Sequence, residues 1–244
     1  MNAAPPQLVL VSRSPARLAL LRRAGCRPIA VSSPFQDPAQ PQAPSDLGDP
    51  VSAAGDLAQR LAQEKAQAWL DHGENRPLGP FVALSADTVC VDAQGRLVGT
   101  PESVDEARAM LRALAGAAHH VVSAGHLVAI GVEGAPPPRS FVDAAEVRVA
   151  PLAPDAMEAY LASDAWRGRA GGYDLDDRRA AGWTIDVAGD PAAVTGLPWV
   201  KLAPALTELG LIPATPRPET RSPPVARRRS LRTRNPRPPA GASP

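Results

Sequence analysis

The spacing of apolar residues changes repeatedly along the chain and divides it into strands and helices. Gln7–Val11 is a continuous apolar run, the pattern of a strand buried on both faces. Ser12-Arg13-Ser14-Pro15 follows, and Ser as N-cap with Pro at the first helical position predicts a helix start. Leu18, Leu20 and Leu21 give that helix an apolar side, and Gly25 ends it. Pro28–Ser32 predicts a second strand, and the Pro-rich stretch 34–50 a loop. Over 52–70, Leu57, Leu61, Ala68 and Trp69 recur at helical spacing, with Gly73 beyond the end.

Phe81–Ser85 predicts a central strand, and Val89–Val91 and Arg96–Val98 flank Asp92-Ala93-Gln94-Gly95 as a hairpin. Ser103-Val104-Asp105-Glu106 is a capping box that opens a helix to about Ala115. His119–Val132 and Ser140–Ala150 have strand character, and Pro154-Asp155 opens a helix with Met157, Tyr160 and Leu161. A Gly-rich stretch, 168–173, precedes a short strand, Trp183–Val187. Gly196-Leu197-Pro198 introduces a last helix to Leu209. Strands and helices alternate without a repeat, which predicts an α/β fold.

Charge divides the chain differently. The 244 residues carry a formal +1, but Pro213–Pro244 holds eight Arg, one acid and nine of the 29 prolines. That segment is +7, and residues 1–212 are left at −6. With few large apolar side chains to bury, the tail is expected to be disordered and 1–212 to be the folded unit. No apolar run approaches the roughly 20 residues of a membrane span. The N-terminus lacks the basic region of a signal peptide, so a cytoplasmic protein is expected. Two cysteines, Cys26 and Cys90, exclude a disulfide-built scaffold. The Arg-rich tail could attract nucleic acid or an acidic partner, but a solubilising extension explains it at least as well.

Three places carry candidate chemistry. The strand-to-helix junction offers free N–H groups at a helix N-terminus, the hydroxyls of Ser12 and Ser14, and Arg17 one turn in; together they suit a phosphate, although taken alone an ordinary N-cap with a solvent-facing Arg explains them better. Asp87, expected just past a buried strand, suits Mg²⁺, which takes one or two carboxylates with substrate phosphates and water. A capping role explains it about as well. Lys65 shares a helical face with Leu61 and is one of two lysines among 26 basic residues, in a chain that otherwise uses Arg; it could point into a groove, but by its pattern alone a snorkelling surface lysine is the favoured reading. The four histidines show no metal-ligand spacing.

These elements together resemble the Maf family of nucleoside triphosphate pyrophosphatases. Leu10-Val11-Ser12-Arg13-Ser14-Pro15-Ala16-Arg17-Leu18-Ala19-Leu20-Leu21 is similar to the family's L-A-S-x-S-P-R-R-x-x-L-L. Arg60–Ala66 resembles R-L-A-x-x-K-A, and Ser85–Val89 resembles G-A-D-T-V. Gly95–Pro101 is similar to the segment ending G-K-P, Ala170–Tyr173 to A-G-A-Y, and Val194–Pro198 to V-x-G-L-P. The matches run in order from about residue 8 to 209.

The resemblance implies an elongated Maf/ITPase-like α/β fold, a mixed bent β-sheet flanked by helices with a deep groove between two lobes. It implies hydrolysis of a nucleoside triphosphate, with dTTP, UTP or a modified nucleotide as substrate, to the monophosphate and pyrophosphate. The cofactor implied is a divalent cation: Mg²⁺, or Mn²⁺ or Co²⁺. By this resemblance Asp87 and Lys65 are catalytic, Asp87 and Asp37 hold the metal, and Ser12, Ser14, Arg17, Thr88 and Arg169 bind substrate. The partner is then the nucleotide rather than a membrane or a nucleic acid, and a homodimer is compatible with the family. Five departures are visible: Ala16 stands for the first Arg of S-P-R-R, Asp37 for a Glu near the end of the second strand, Thr100 for the Lys of G-K-P, Gly168-Arg169 for an Asp-Lys before A-G-A-Y, and Asp176 for a Gln three residues after the Tyr. They raise two alternatives, a catalytically impaired nucleotide-binding protein and a 7-methyl-GTP pyrophosphatase.

Overall fold

A computed structural model describes residues 5–37, 48–72, 74 and 76–212 of this chain. The expected tail, 213–244, and the helix-ending Gly73 lie outside the described residues. In chain order the elements are β1 (Gln7–Val11), α1 (Pro15–Arg23), β2 (Ile29–Val31), α2 (Pro50–His72), β3 (Phe81–Val91) and β4 (Leu97–Val98). Then come α3 (Val104–Leu114), β5 (Ala118–Ile130), β6 (Arg139–Val149), α4 (Pro154–Ala162), α5 (Leu175–Ala180), β7 (Ile185–Ala188), α6 (Pro191–Thr195) and α7 (Trp199–Glu208).

The expected caps close the helices where the sequence puts them. The Ser14 side chain accepts from the Arg17 N–H with Pro15 at the first position, and Ser103 accepts from Glu106 N–H. Two helices were not expected, α5 and α6. Each begins at an Asp that caps it, Asp174 and Asp190.

The described strands form one seven-stranded mixed sheet in the order β2-β1-β3-β5-β6-β7, with β4 paired to β3. β1 lies parallel to β2 and β3, while β5, β6 and β7 continue antiparallel. Alternation along β3 sends odd and even positions to opposite faces. On the odd face, Phe81, Ala83, Val89 and Val91 pack in the clusters that take in Ala54, Leu57, Leu61 and Trp69 of α2. On the even face there are two clusters. Val82, Leu84 and Ala86 join α1 and α7 through Leu20, Leu21, Leu202 and Leu206. Cys90 joins α3 and α4 through Leu111, Leu114, Tyr160 and Leu161. Thr88 lies between the two clusters.

One buried polar pair belongs to the second cluster. His119 on β5 is fully buried, and its Nε2 lies 2.7 Å from the Tyr173 hydroxyl. Burial, with some help from His120, pushes the His119 pKa down to about 4. The folded protein therefore prefers the neutral ring. The stability this confers is complete above the unfolded value of about 6.5 and is lost as pH falls towards 4. Denaturant titrations of wild type and His119→Gln should diverge over that window: wild type loses on the order of 3 kcal/mol more than the variant. Parallel pH profiles would contradict a neutral buried His119.

Candidate functional site

The site forms where β3 outruns its parallel neighbour. Pairing of β1 with β3 ends at Val11 and Ser85, whereas pairing of β3 with β5 runs on to Val91 and His120. The sequence suggested two strands interrupted at Ala86–Thr88. The structure has one strand of 11 residues, because β5 supplies ladder bonds across the whole length. Asp87 is therefore inside a strand, opposite Ala124, and two residues beyond the last β1 pair.

Asp87 shares the odd face with Ser85, towards α2. The Ser85 hydroxyl donates to Ala62 O at 2.6 Å. One turn of α2 further on, the Lys65 ammonium donates to Asp87 and lies 2.7 Å from Asp37 Oδ1. The loop after β2 brings Asp37 there: the Ser33 hydroxyl donates to Lys65 O at 2.8 Å and accepts from Phe35 N–H. The side chains of Lys65 and Asp87 are 16% and 11% exposed, and that of Asp37 is 56% exposed. Burial is the largest influence on Asp87 and pushes its pKa up, against the pull of Lys65 and Arg17. A carboxylate held this way receives a proton more readily than an exposed Asp.

The even face carries Thr88 and, against it, Arg17 from α1. Arg17 Nε–H donates to Gly196 O at 2.9 Å, Nη1 to Ser12 Oγ at 3.2 Å and Ala86 O at 3.0 Å, and Nη2 to Thr88 Oγ1 at 2.8 Å. Four of its five N–H donors are thus committed to protein oxygens. The chain of donors continues. The Thr88 hydroxyl is 2.8 Å from Ser123 Oγ, and Ser123 donates to Ala193 O at 2.7 Å. Gly196 makes this possible. Its φ is +117°, and a Cβ there would stand 2.9 Å from Arg17 Nε. Arg17 therefore ties α1, β3 and the end of α6 together.

Ser12 and Ser14 stand at the α1 N-terminus. Ser12 Oγ accepts from Ser14 N–H and from Arg17, and Ser14 Oγ accepts from Arg17 N–H. A cavity of about 650 Å³ opens there, lined by Ser12, Ser14, Asp37, Lys65, Arg167 and Arg169. A second, of about 240 Å³, adjoins it past Arg17, Thr88 and Arg169 and reaches Cys90 and Tyr173. Arg169 lines both; its Nη2 is 2.8 Å from Asp177, and its Nη1 is 3.9 Å from Asp174. All eight residues singled out from the sequence therefore line one continuous groove or bond directly across it.

Ala16 and Thr100 also line the smaller cavity, so these two uncharged departures stand at the groove itself. Asp176 is turned away, against exposed Arg23 at 3.8 Å. Sequence reasoning missed Arg167, which stacks on Trp166 at 4.3 Å and reaches the groove from the turn before Gly168. It also missed Gly196, although the glycine sits inside a motif already noted. His120 and His126 pair with Glu146 and Ser140. Cys26 and Cys90 are buried free thiols, and burial raises the pKa of each, to about 11 and about 12. Among the described residues no group of three or more His, Cys, Asp or Glu could hold a metal ion. Nor is any helix there long and apolar enough to cross a membrane.

Comparison with known proteins covers the same span. The model of the family described as Maf-like protein matches residues 7–209. A dTTP/UTP pyrophosphatase of Bartonella henselae (strain ATCC 49882 / DSM 28221 / CCUG 30454 / Houston 1) is 38% identical over 212 residues, covering 82% of this chain and 84% of its own. A dTTP/UTP pyrophosphatase of Maricaulis maris (strain MCS10) is 36% identical over 208 residues, covering 84% and 89%. Among solved structures, a nucleoside-triphosphatase / dITP/XTP pyrophosphatase from Mycobacterium abscessus ATCC 19977 / DSM 44196 aligns at 16% identity. It covers 60% of this chain and 75% of its own with a TM-score of 0.32, too slight a likeness to weigh.

The tie through Arg17 has a direct test. Gly196→Ala places a methyl against Arg17 and strains a left-handed backbone, at a cost of about 1–3 kcal/mol. Chemical denaturation should show that loss, and Arg17→Ala should remove the part due to the methyl against Arg17 while the part due to backbone strain stays. A Gly196→Ala protein as stable as wild type would contradict the tie.

Proposed function

The chain belongs to the Maf-like protein family, and from that premise we propose that it is a nucleoside triphosphate pyrophosphatase acting on dTTP or UTP. The observation that carries this reading is the Lys65 ammonium held between Asp37 and Asp87 beside the α1 N-terminus. A triphosphate needs cations and N–H donors along its length and a carboxylate near the reacting phosphorus. The groove offers that order. Ser12, Ser14 and the α1 N–H groups face one cavity with Arg169 and Arg167, and Lys65 stands at its wall with Asp37.

In this reading the phosphates lie along Ser12, Ser14 and Lys65, and Arg169 and the remaining N–H of Arg17 hold them from the other side. Water attacks the α-phosphorus, the bond from that phosphorus to the bridging oxygen breaks, and pyrophosphate leaves. The water proton passes to Asp87, the carboxylate buried at the groove. Asp37 and Asp87, which meet at the Lys65 ammonium, are hard oxygen donors of the kind that Mg²⁺ or Mn²⁺ accepts together with substrate phosphates. They would hold the cation, and it would supply charge neutralisation at the phosphates. Thr88, held by Arg17 and Ser123, would contact the nucleoside side in this reading. The alternatives raised by Ala16 and Thr100 are not favoured. Relatives that align over four fifths of this chain bear the dTTP/UTP name, and Arg167 and Arg169 supply positive charge along the same groove.

Purified protein should release pyrophosphate from dTTP and UTP with Mg²⁺, Mn²⁺ or Co²⁺, and a chelator should stop the release. A panel of dTTP, UTP, modified pyrimidine triphosphates and 7-methyl-GTP that yields none with any of these ions would refute the proposal. Asp87→Asn should lower kcat by about 10²–10⁴-fold. Its thermal midpoint should change little, because the Lys65 ammonium keeps Asp37 as a partner. An unchanged rate would take Asp87 out of the reaction.

A further inference from the structure

Among the buried titratable side chains that the mechanism leaves unused, His119 is the one with an unsatisfied ring nitrogen. His119 is completely buried on β5, its Nδ1 has no hydrogen-bond partner, and its one polar contact is the Tyr173 hydroxyl. The two rings meet edge to face, 5.8 Å apart at 89°. A fully buried imidazole with a single partner is an expensive way to fill a core, since one ring nitrogen goes unsatisfied. An apolar residue would pack there without that cost. The partner gives the reason.

Tyr173 lines the 240 Å³ cavity. The backbone leading to it is held independently. Gly171 N–H donates to Gly99 O at 3.0 Å, and the Tyr160 hydroxyl donates to Gly172 O at 2.9 Å. Gly171 has φ +74°, and a Cβ on it would stand 3.6 Å from the Tyr173 ring and 3.7 Å from Cys90 Sγ. These contacts place the main chain and one side of the ring. The hydroxyl end is fixed by His119.

The position of that ring matters along β3. Arg17 bonds to the strand at Ala86 and Thr88. Cys90, the next residue on the same face, is paired with Val121, and both line the cavity with Tyr173, Leu175 and Val194. One strand repeat beyond Thr88, roughly 7 Å, the groove therefore adds an apolar and aromatic stretch to its charged and hydroxylic lining. A ligand matching that change is anionic at one end and carries a flat, weakly polar ring at the other.

We infer that His119 is a positioning residue: by holding the Tyr173 hydroxyl it fixes the aromatic wall against which the nucleoside end of the substrate rests. The inference builds on the nucleotide reading of the groove. It assigns His119 no contact with substrate and no proton transfer.

The test separates the two ends of the ligand. Pyrophosphate engages only the phosphate part; thymidine monophosphate adds the nucleoside. In His119→Leu and in Tyr173→Phe, which loses a single oxygen, the KM for dTTP and the calorimetric dissociation constant of thymidine monophosphate should each rise about fivefold, the effect of one hydrogen bond. The inhibition constant of pyrophosphate should stay within twofold. The double variant should be no worse than either single one, and His119→Gln, which keeps a group to bond the hydroxyl, should return close to wild type. Pyrophosphate affinity falling in parallel, multiplicative losses in the double variant, or failure of Gln to rescue would overturn the inference. A wild type that binds thymidine monophosphate without hydrolysing dTTP contradicts the proposed reaction alone, and the His119 comparison is then read by calorimetry with the same outcomes. A wild type that binds neither ligand overturns both.

Discussion

A carboxylate buried on a central strand must be compensated, and the contact of the Lys65 ammonium with Asp87 is that compensation. Without Lys65 the charge would stand against apolar β-strand surface at a cost of several kcal/mol. The pair explains why α2 crosses the sheet where it does and why the Ser85 hydroxyl reaches Ala62 O one turn before Lys65. It also explains why the loop after β2 folds back to deliver Asp37. The balance is incomplete, because burial still outweighs the neighbouring cations and keeps the Asp87 pKa raised. That residue of unfavourable charge is what a polyanion-handling site can use, since a cation or a proton at Asp87 relieves it.

β3 distributes the remaining work. It is longer than β1, so between the last β1 pair at Ser85 and the β4 pairs at Cys90 and Val91 one edge of β3 has no strand neighbour, and there the strand presents chemistry rather than sheet. Its odd positions meet α2 and the Lys65 pair. Its even positions run from the α1–α7 cluster, through Thr88, to the α3–α4 cluster. Between those clusters the contacts are polar: Arg17 to Thr88, Thr88 to Ser123, Ser123 to the α6 carbonyl of Ala193. Apolar packing on either side and a directional chain of hydrogen bonds in the middle give the groove fixed walls without filling it. The family's charged positions at Ala16 and Thr100 are neutral here, and both face this groove. Arg167 and Arg169, ion-paired to Asp164 and Asp177, line the same groove.

Local signals in the sequence carried most of the fold. Ser14-Pro15 and the Ser103 capping box end where backbone N–H groups need acceptors, and that need is satisfied within a few residues. Lys65 and Asp87 stood out by rarity and placement, and they meet. What was not legible depends on partners far away in the chain. β3 is continuous only because β5, about 35 residues later, pairs across Ala86–Thr88. Arg17 looked like a free phosphate fork, yet it reaches Gly196, 179 positions away, and spends most of its donors on protein. The bond between His119 and Tyr173 likewise spans 54 positions. The short helix α6 is different: Asp190-Pro191 is a local start signal of the kind read correctly at Ser14-Pro15.

The central claim is that water attacks the α-phosphorus of a nucleoside triphosphate beside Asp87. Hydrolysis of dTTP or UTP in ¹⁸O-labelled water, with mass analysis of both products, tests it most directly. The account predicts the label in the nucleoside monophosphate and none in pyrophosphate. Label in pyrophosphate, or release of inorganic phosphate with the diphosphate left behind, would contradict it.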